Sequence, residues 1–378
     1  MKKNYSYKTW LAISAAMLIL IVASCKKDNN NNQVRTDNTP TPATPTKFGL
    51  YETDSSIYKL LYTYVSKIGT LDVSSSDYYL VFDTGSGGLV IDANGILPAS
   101  MITSSGFNFT GDSTTVNGIT IYNQKTTIEY GDDVSTTDKV YGNLAYASVT
   151  IGDDNGNIVI KRLPFFLYYK AVDGNGNKFS PHEFDVLGVS SEYDATFPNN
   201  AYITSPFSYF DPGTGLTKGF KMAALTTNNF SYEGTYVPDV VTLGLTASDL
   251  SSAGGFSMNQ LNFVTGDGYA PVIPISLTYN NKAIQTHAIF DTGTEPYSYI
   301  EDTSAADTAL LLPNSTAVSL SSTTGFNYSY ITSSTDNLTY VENPKTSQSN
   351  VSVLSLEFFL NNEYLLDFTN HRLGLKSN

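Results

Sequence analysis

Apolar and polar residues alternate along most of the chain beyond residue 48, and a period of two is the pattern of β-strands. Clear examples are the stretches 78–82, 145–151 and 272–279, which turns rich in Gly, Asn and Asp separate from their neighbours. Many apolar positions hold one of 27 Tyr or 20 Phe, residue types that favour strands. The 378-residue chain is therefore predicted to be an all-β protein of one large or two ordinary domains.

Two polar stretches, 152–157 and 173–177, lie between strand-like runs and combine Asp, Gly and Asn. Such a composition also occurs in calcium-binding loops, which need Gly at the sixth position and Glu at the twelfth. Counted from Asp173, these positions hold Lys178 and Phe184. We therefore predict hairpin turns here and no metal site.

The N-terminal region has a different pattern. Three Lys precede an apolar run, residues 10–22, that is too short for a stable membrane span. The run leads into Ile-Val-Ala-Ser-Cys, which ends at Cys25, the single Cys of the chain, and resembles the lipobox of bacterial lipoproteins. The resemblance implies a signal peptide over residues 1–24 and lipidation of Cys25. The alternative is an ordinary signal peptide with an incidental Cys.

Residues 25–47 are predicted to be a disordered tether, because an Asn run followed by Thr-Pro repeats cannot bury apolar surface. Together with the lipid anchor, the tether would place the folded part outside the cytoplasm, on the periplasmic face or the cell surface of a bacterial membrane.

Charge and residue counts exclude several function classes. The net charge of −14 makes nucleic acid an unfavourable partner. One Cys and three His are too few for a Cys-rich zinc site. A Ser-His-Asp triad would need His182, His287 or His371, and none of them lies near a Gly-x-Ser-x-Gly motif.

A stretch in the first half of the chain recurs in the second. Residues 79–86 read Tyr-Leu-Val-Phe-Asp-Thr-Gly-Ser, and residues 287–294 read His-Ala-Ile-Phe-Asp-Thr-Gly-Thr. Each copy is an apolar strand that leads into Asp-Thr-Gly and then a hydroxyl residue. Two copies with matched flanks arise by chance far less often than one. The repeat marks Asp83 and Asp291 as a candidate pair.

The paired loops resemble the catalytic loops of the pepsin-like aspartic peptidase family. Residues 128–131 and 141–145 are similar to its flap hairpin, with Tyr130 and Gly131 at the substrate-binding positions. Residues 184–189 resemble the element that braces the first loop. Residues 261–264 resemble the family's junction between lobes, and residues 366–375 resemble its C-terminal strand. The similarity extends from about residue 50 to the end of the chain.

This resemblance implies a bilobal double β-barrel, with an N-terminal lobe over 48–260, a C-terminal lobe over 261–378 and a catalytic cleft between them. In aspartic proteases, the best-known case, two close carboxylates share one proton, and serve as general base and general acid. The residues that support Asp83 and Asp291 would be Thr84, Gly85, Ser86, Thr292, Gly293 and Thr294.

The implied activity is that of a monomeric aspartic endopeptidase that cleaves polypeptides near bulky apolar residues, without a metal or organic cofactor. No basic inhibitory prosegment is visible, so maturation without its removal is predicted. Two alternatives stay open. One is a catalytically silent pepsin-like surface lipoprotein that binds peptides or a protein, and the other is a β-sandwich lipoprotein that binds glycans.

Three positions depart from the family pattern. Ser355 replaces a Gly in the second bracing element. Val90 occupies a position where an aromatic residue is common, which removes a possible partner of Tyr130. Glu295 stands where small hydroxyl residues are usual, and we expect its charge to raise the pKa of the aspartate pair.

Overall fold

The computed structural model describes residues 43–73, 78–131, 137–347 and 349–378. The predicted signal peptide, Cys25 and residues 25–42 of the predicted tether lie outside the described residues. Within the described ranges, no helix has the length and apolar character needed to cross a membrane.

Strands account for most of the regular structure. The strands before residue 261 are β1 (Thr46–Ser55), β2 (Tyr58–Ile68), β3 (Leu71–Asp72), β4 (Tyr79–Asp83), β5 (Gly87–Asp92), β6 (Ile102–Thr103), β7 (Gly106–Phe107), β8 (Ser113–Val116), β9 (Ile119–Tyr130), β10 (Asp138–Asp153), β11 (Gly156–Val172), β12 (Val186–Val189), β13 (Ala195–Thr196), β14 (Tyr202–Ile203), β15 (Thr217–Met222), β16 (Thr235–Leu245) and β17 (Ser257–Gln260).

The later strands are β18 (Ile273–Tyr279), β19 (Lys282–Phe290), β20 (Tyr297–Glu301), β21 (Leu310–Leu311), β22 (Ala317–Ser322), β23 (Asn327–Ile331), β24 (Leu338–Glu342), β25 (Val351–Leu354), β26 (Asn362–Asp367) and β27 (Arg372–Ser377). The described helices are short: one α-helical turn, α1 (Pro344–Ser347), and 3₁₀-helices at Ala99–Met101, Pro206–Tyr209, Thr227–Asn229, Ser252–Gly254 and Leu356–Leu360. The predicted all-β class is confirmed.

Two large sheets organise the described residues. The first has 15 strands, in the order β17-β27-β26-β15-β16-β1-β2-β4-β12-β5-β11-β10-β9-β8, with β3 beside β2. The second has eight, in the order β21-β24-β20-β25-β19-β18-β22-β23. Many strands of these sheets bury one face, and β18 shows how the sequence achieves this. Its alternate residues Ile273, Ile275, Leu277 and Tyr279 are buried, while Pro274, Ser276 and Thr278 between them are more exposed.

The sequence repeat corresponds to a repeat in sheet topology. In the first sheet, β12 pairs parallel with β4 and antiparallel with β5, and β5 pairs parallel with β11. In the second sheet, β25 pairs parallel with β19 and antiparallel with β20, and β20 pairs parallel with β24. Asp83 ends β4, and Asp291 directly follows β19. The two aspartates therefore lie at the ends of equivalent strands, β4 in the first sheet and β19 in the second.

Both ends of the folded region differ in detail from the expectation. Strand β1 begins at Thr46, and the Ala43 N–H donates to the Thr214 carbonyl at 2.9 Å, so the last residues of the predicted tether belong to the fold. The C-terminal stretch 366–375 is a hairpin of β26 and β27 rather than one strand. These two strands pair with β15 and β17 in the first sheet, although they follow the second in sequence.

Hairpin turns occur where the Gly- and Asn-rich stretches predicted them. Asp153 and Gly156 face each other at the end of the β10–β11 hairpin. The second stretch is closed by the Asp173 carboxylate, which accepts hydrogen bonds from the Asn175 and Asn177 N–H groups at 2.9 and 2.7 Å. The side chain of Asp173 is therefore used in stabilising the turn.

Candidate active site

The first Asp-Thr-Gly loop holds the Asp83 carboxylate with two short hydrogen bonds. The Gly85 N–H donates to Oδ1 at 2.7 Å, and the Ser86 hydroxyl donates to Oδ2 at 2.6 Å. Asp83 is buried, so neither oxygen can exchange these donors freely for bulk water. The orientation of the carboxylate plane is fixed by residues two and three positions further along the chain.

The second loop repeats this arrangement around Asp291. The Gly293 N–H donates to Oδ1 at 2.7 Å, and the Thr294 hydroxyl donates to Oδ2 at 2.5 Å. The predicted supporting positions therefore contact their carboxylates in the same way in both loops, with Thr294 in the place of Ser86.

Two threonines join the loops reciprocally. The Thr84 hydroxyl donates to the Phe290 carbonyl at 2.8 Å, and the Thr292 hydroxyl donates to the Phe82 carbonyl at 2.7 Å. Each hydroxyl oxygen also accepts the backbone N–H of the other threonine at 3.0 Å. Both side chains are fully buried, so the two hydroxyls satisfy backbone N–H and carbonyl groups that water does not reach in either loop. The exchange fixes the separation of the two aspartates.

The glycines allow the two loops to approach closely. A Cβ atom on Gly85 would lie 2.3 Å from Cγ of Asp291, and one on Gly293 would lie 2.8 Å from Cγ of Asp83. Any other residue at either position would push the opposite carboxyl group away. The two carboxyl groups share a hydrogen bond.

The proton affinities of the two groups differ because they are coupled. Burial and the neighbouring charge of Asp291 raise the pKa of Asp83 well above its usual value of 3.8. Burial also acts against ionisation of Asp291, whereas hydrogen bonds from Asp83 and Thr294 favour the charged form of this second carboxyl group and so act to lower its pKa. Between these two titrations the pair holds a single proton, with Asp83 as its carrier in this arrangement.

The two bracing elements differ at one residue. Gly188 lies opposite Asp83 in the parallel β4–β12 pair, and a Cβ on it would lie 2.7 Å from the Ser86 backbone. Ser355, the departure in the second element, is fully buried, and its hydroxyl accepts a hydrogen bond from the Ser298 hydroxyl at 3.3 Å. The second loop thus accommodates Ser through a neighbouring hydroxyl.

Tyr130 ends β9, in the hairpin predicted from the flap motif, and Gly131 follows with a φ of 108°. The ring centroid of Tyr130 lies 5.1 Å from that of Phe184, in a buried cluster that includes Val90. Its hydroxyl donates to Oδ2 of Asp194 at 3.0 Å. Tyr130 is therefore buried and hydrogen-bonded, although position 90 holds Val in place of an aromatic residue.

Glu295 is engaged away from the aspartate pair. Burial and the charge of Glu357 raise the pKa of Glu295 to about 8, against the effect of Lys59. Lys59 and Glu357 form an ion pair of 2.5 Å beside it. Glu295 is therefore neutral at acidic pH, and it is not among the main groups that shift the pKa of Asp83 or Asp291. These observations contradict the hypothesis that its charge raises the pKa of the pair.

Sequence reasoning did not identify Asp194, Lys59 or Glu357. Lys59 and Glu357 are 298 positions apart, and Asp194 meets Tyr130 across 64. None of them stands in a recognisable motif, so their juxtaposition becomes visible only in the fold. Within the described ranges, no group of three or more His, Cys, Asp or Glu side chains is arranged to hold a metal ion.

Solved structures share this fold. A crystal structure of an aspartic proteinase from Irpex lacteus is similar with a TM-score of 0.55 and 17% sequence identity, over 88% of this chain and 97% of the proteinase. A crystal structure of Basic 7S globulin from soybean is similar with a TM-score of 0.54 and 12% identity, over 89% of this chain and 96% of the globulin.

No protein-family model matches the chain, and no curated protein matches its sequence. The comparisons therefore define the class of fold, which is that of the pepsin-like aspartic proteinases. They leave the activity to be argued from the site, because one of these similar proteins is named as a proteinase and the other as a globulin.

Proposed function

We propose that this protein is an aspartic-type endopeptidase with Asp83 and Asp291 as its catalytic dyad. The observation that carries the proposal is the reciprocal threonine exchange, which holds two buried carboxyl groups in contact and with unequal proton affinities. A structural role alone does not require two buried acids at one point, where their mutual repulsion opposes folding.

The chemistry follows from this single proton. Ionised Asp291 takes a proton from a water molecule. The oxygen of that water attacks the peptide carbonyl carbon, and Asp83 gives its proton to the carbonyl oxygen. Collapse of the tetrahedral intermediate then breaks the C–N bond: Asp291 gives its proton to the leaving amine, and a hydroxyl of the intermediate returns a proton to Asp83, which restores the starting state of the dyad. Ser86 and Thr294 keep the outer carboxylate oxygens oriented throughout, and Tyr130 and Gly131 contribute to substrate binding.

The proposed substrate is a polypeptide bound between two lobes, with preference for bulky apolar residues, because a water-excluding site favours apolar side chains. The proposed location is outside the cytoplasm, with acylated Cys25 as the membrane anchor and a monomer as the active form. Support for this part comes from the lipobox-like sequence before Cys25.

The test is digestion of a peptide library by the full-length protein at a series of pH values from about 3 to about 8. Asp83→Asn and Asp291→Asn should each reduce cleavage by about 100- to 10,000-fold, the usual contribution of a general acid or base. The matched control is Asp72→Asn, because Asp72 is exposed and forms a surface ion pair with Lys67. Cleavage that persists in both dyad variants would refute the proposal.

The second candidate function is a catalytically silent protein that binds peptides. The similarity to a protein named as a globulin supports this alternative. A statine-type inhibitor, which mimics the tetrahedral intermediate, should bind in both cases. Tight binding by a protein that cleaves nothing in the library at any pH would favour the silent binder.

A further inference from the structure

Tyr130 has an acidic hydrogen-bond partner in a buried environment. Its side chain is 6% exposed, and the hydroxyl donates to Oδ2 of Asp194, which is itself 6% exposed. A phenol that donates to a carboxylate forms a charge-assisted hydrogen bond, which is about twice as strong as a neutral one. Burial and the charge of Asp194 raise the pKa of Tyr130, so the hydroxyl remains a donor.

Asp194 is attached to the first catalytic loop through its own segment. The chain leaves the bracing strand β12 at Val189, and the Ser190 N–H then donates to the Ser86 carbonyl at 2.9 Å. Four residues later the Asp194 N–H donates to the Ile203 carbonyl at 3.1 Å. Asp194 is thus held by backbone bonds in a segment that contacts the residue supporting Asp83.

The bond between these side chains therefore links two separate elements. On one side is strand β9, which pairs with β10 and has Tyr130 as its last residue. On the other is the segment that supports the loop of Asp83.

We propose that Asp194 is a positioning residue, which fixes the Tyr130 ring against the segment that supports the loop of Asp83. The catalytic consequence rests on the proposed function, whereas the hydrogen bond and its effect on the hairpin do not. The hairpin that Tyr130 anchors would contact the substrate, and Asp194 would act only through Tyr130.

The first arm of the test is independent of activity. Backbone hydrogen exchange is measured over β9 and β10 in the full-length protein, for the wild type, Tyr130→Phe, Asp194→Ala and the double variant. Loss of the bond should raise exchange near Tyr130 by about tenfold in each single variant, and no further in the double variant. Asp194→Asn keeps an acceptor oxygen and should restore most of the protection. Exchange that is unchanged, or additive in the double variant, would overturn the proposal.

The second arm measures peptide cleavage by the same variants. Tyr130→Phe and Asp194→Ala should each raise KM by about tenfold and leave kcat within about threefold, because Tyr130 is placed in substrate binding. A general loss of folded protein would instead lower kcat at unchanged KM. Asp72→Ala, on the exposed surface, is the control for both arms.

The two arms separate the two proposals. A wild-type protein without cleavage activity would refute the endopeptidase function, while the exchange measurement would still decide the role of Asp194. An active protein in which Asp194→Ala leaves KM unchanged would refute the positioning role alone.

Discussion

A buried carboxyl group in β1 gives a quantitative test of the fold. Glu52 is fully buried, and neither of its carboxylate oxygens has a hydrogen-bond partner within the described part of the chain. Burial raises the pKa of Glu52 from 4.5 to about 7. The perturbation is Glu52→Gln, which keeps the size of the side chain and removes its titration.

The magnitude follows from the proton affinity. A tenfold change in proton affinity corresponds to about 1.4 kcal/mol, so the difference between 4.5 and about 7 corresponds to about 3 kcal/mol. We expect about 2 kcal/mol, because Tyr51 and Thr53 on either side are partly exposed and nearby water screens the charge. Because the pKa of Glu52 is raised in the folded state, this contribution of about 2 kcal/mol to folding stability is fully present below about pH 4.5, where Glu52 is neutral. It is lost as the pH rises through about 7 and the buried group ionises.

The assay is urea denaturation of the full-length protein and of Glu52→Gln at about pH 4 and about pH 8. Other titrating groups are common to both proteins, so the difference between their unfolding free energies isolates Glu52. Relative to the variant, the wild type should lose about 2 kcal/mol between the two pH values. Glu233→Gln, at an exposed position, is the matched control and should show no such change.

A constant difference within about 0.5 kcal/mol would refute this reasoning, because Glu52 would then ionise in the folded protein as it does in the unfolded chain. The position of β1 between β2 and β16, which buries Glu52, would be in doubt as well.

Three further predictions concern the site. Gly188→Ala should lower kcat/KM by about 100-fold, because the new methyl group displaces the loop of Asp83, whereas Gly156→Ala has its nearest contact at 3.6 Å and should have no effect on kcat/KM. Thr292→Val should reduce the free energy of unfolding by about 2–4 kcal/mol, measured by urea denaturation, since it leaves the Phe82 carbonyl and the Thr84 N–H of the first loop unpaired, and Thr292→Ser should restore most of it. Glu295→Gln should leave the pH optimum of peptide cleavage unchanged; a shift of about one pH unit would show that its charge reaches the dyad.

The sequence predicted the local features of this fold well. Strand periodicity located β4, β10 and β18, because one buried face enforces alternation along each strand. The two Asp-Thr-Gly copies pointed to loops that the structure brings into contact, since a repeated sequence forms a repeated local structure. The supporting contacts of Ser86 and Thr294 followed from the same repeat.

Features that depend on distant parts of the chain were not predictable from one sequence. The hairpin of β26 and β27 looked like one strand, because its turn at residues 368–371 lacks Gly and Pro and its strands contribute to the first sheet. The contact of Asp194 with Tyr130 depends on how β9 and the segment after β12 pack together. Glu295 was misjudged because adjacency in sequence to Asp291 does not determine where a side chain points.

The most direct test of the dyad is a carboxyl ¹³C NMR titration of the full-length protein with labelled Asp, compared with Asp83→Asn and Asp291→Asn. In the wild type, Asp83 and Asp291 should release their protons in two well-separated steps, and the step of Asp83 should lie well above 3.8. Each single variant should retain one step, from the remaining carboxyl group. If both residues instead titrate together near 3.8 and neither responds to replacement of the other, the two carboxyl groups do not share a proton and the proposed mechanism is wrong.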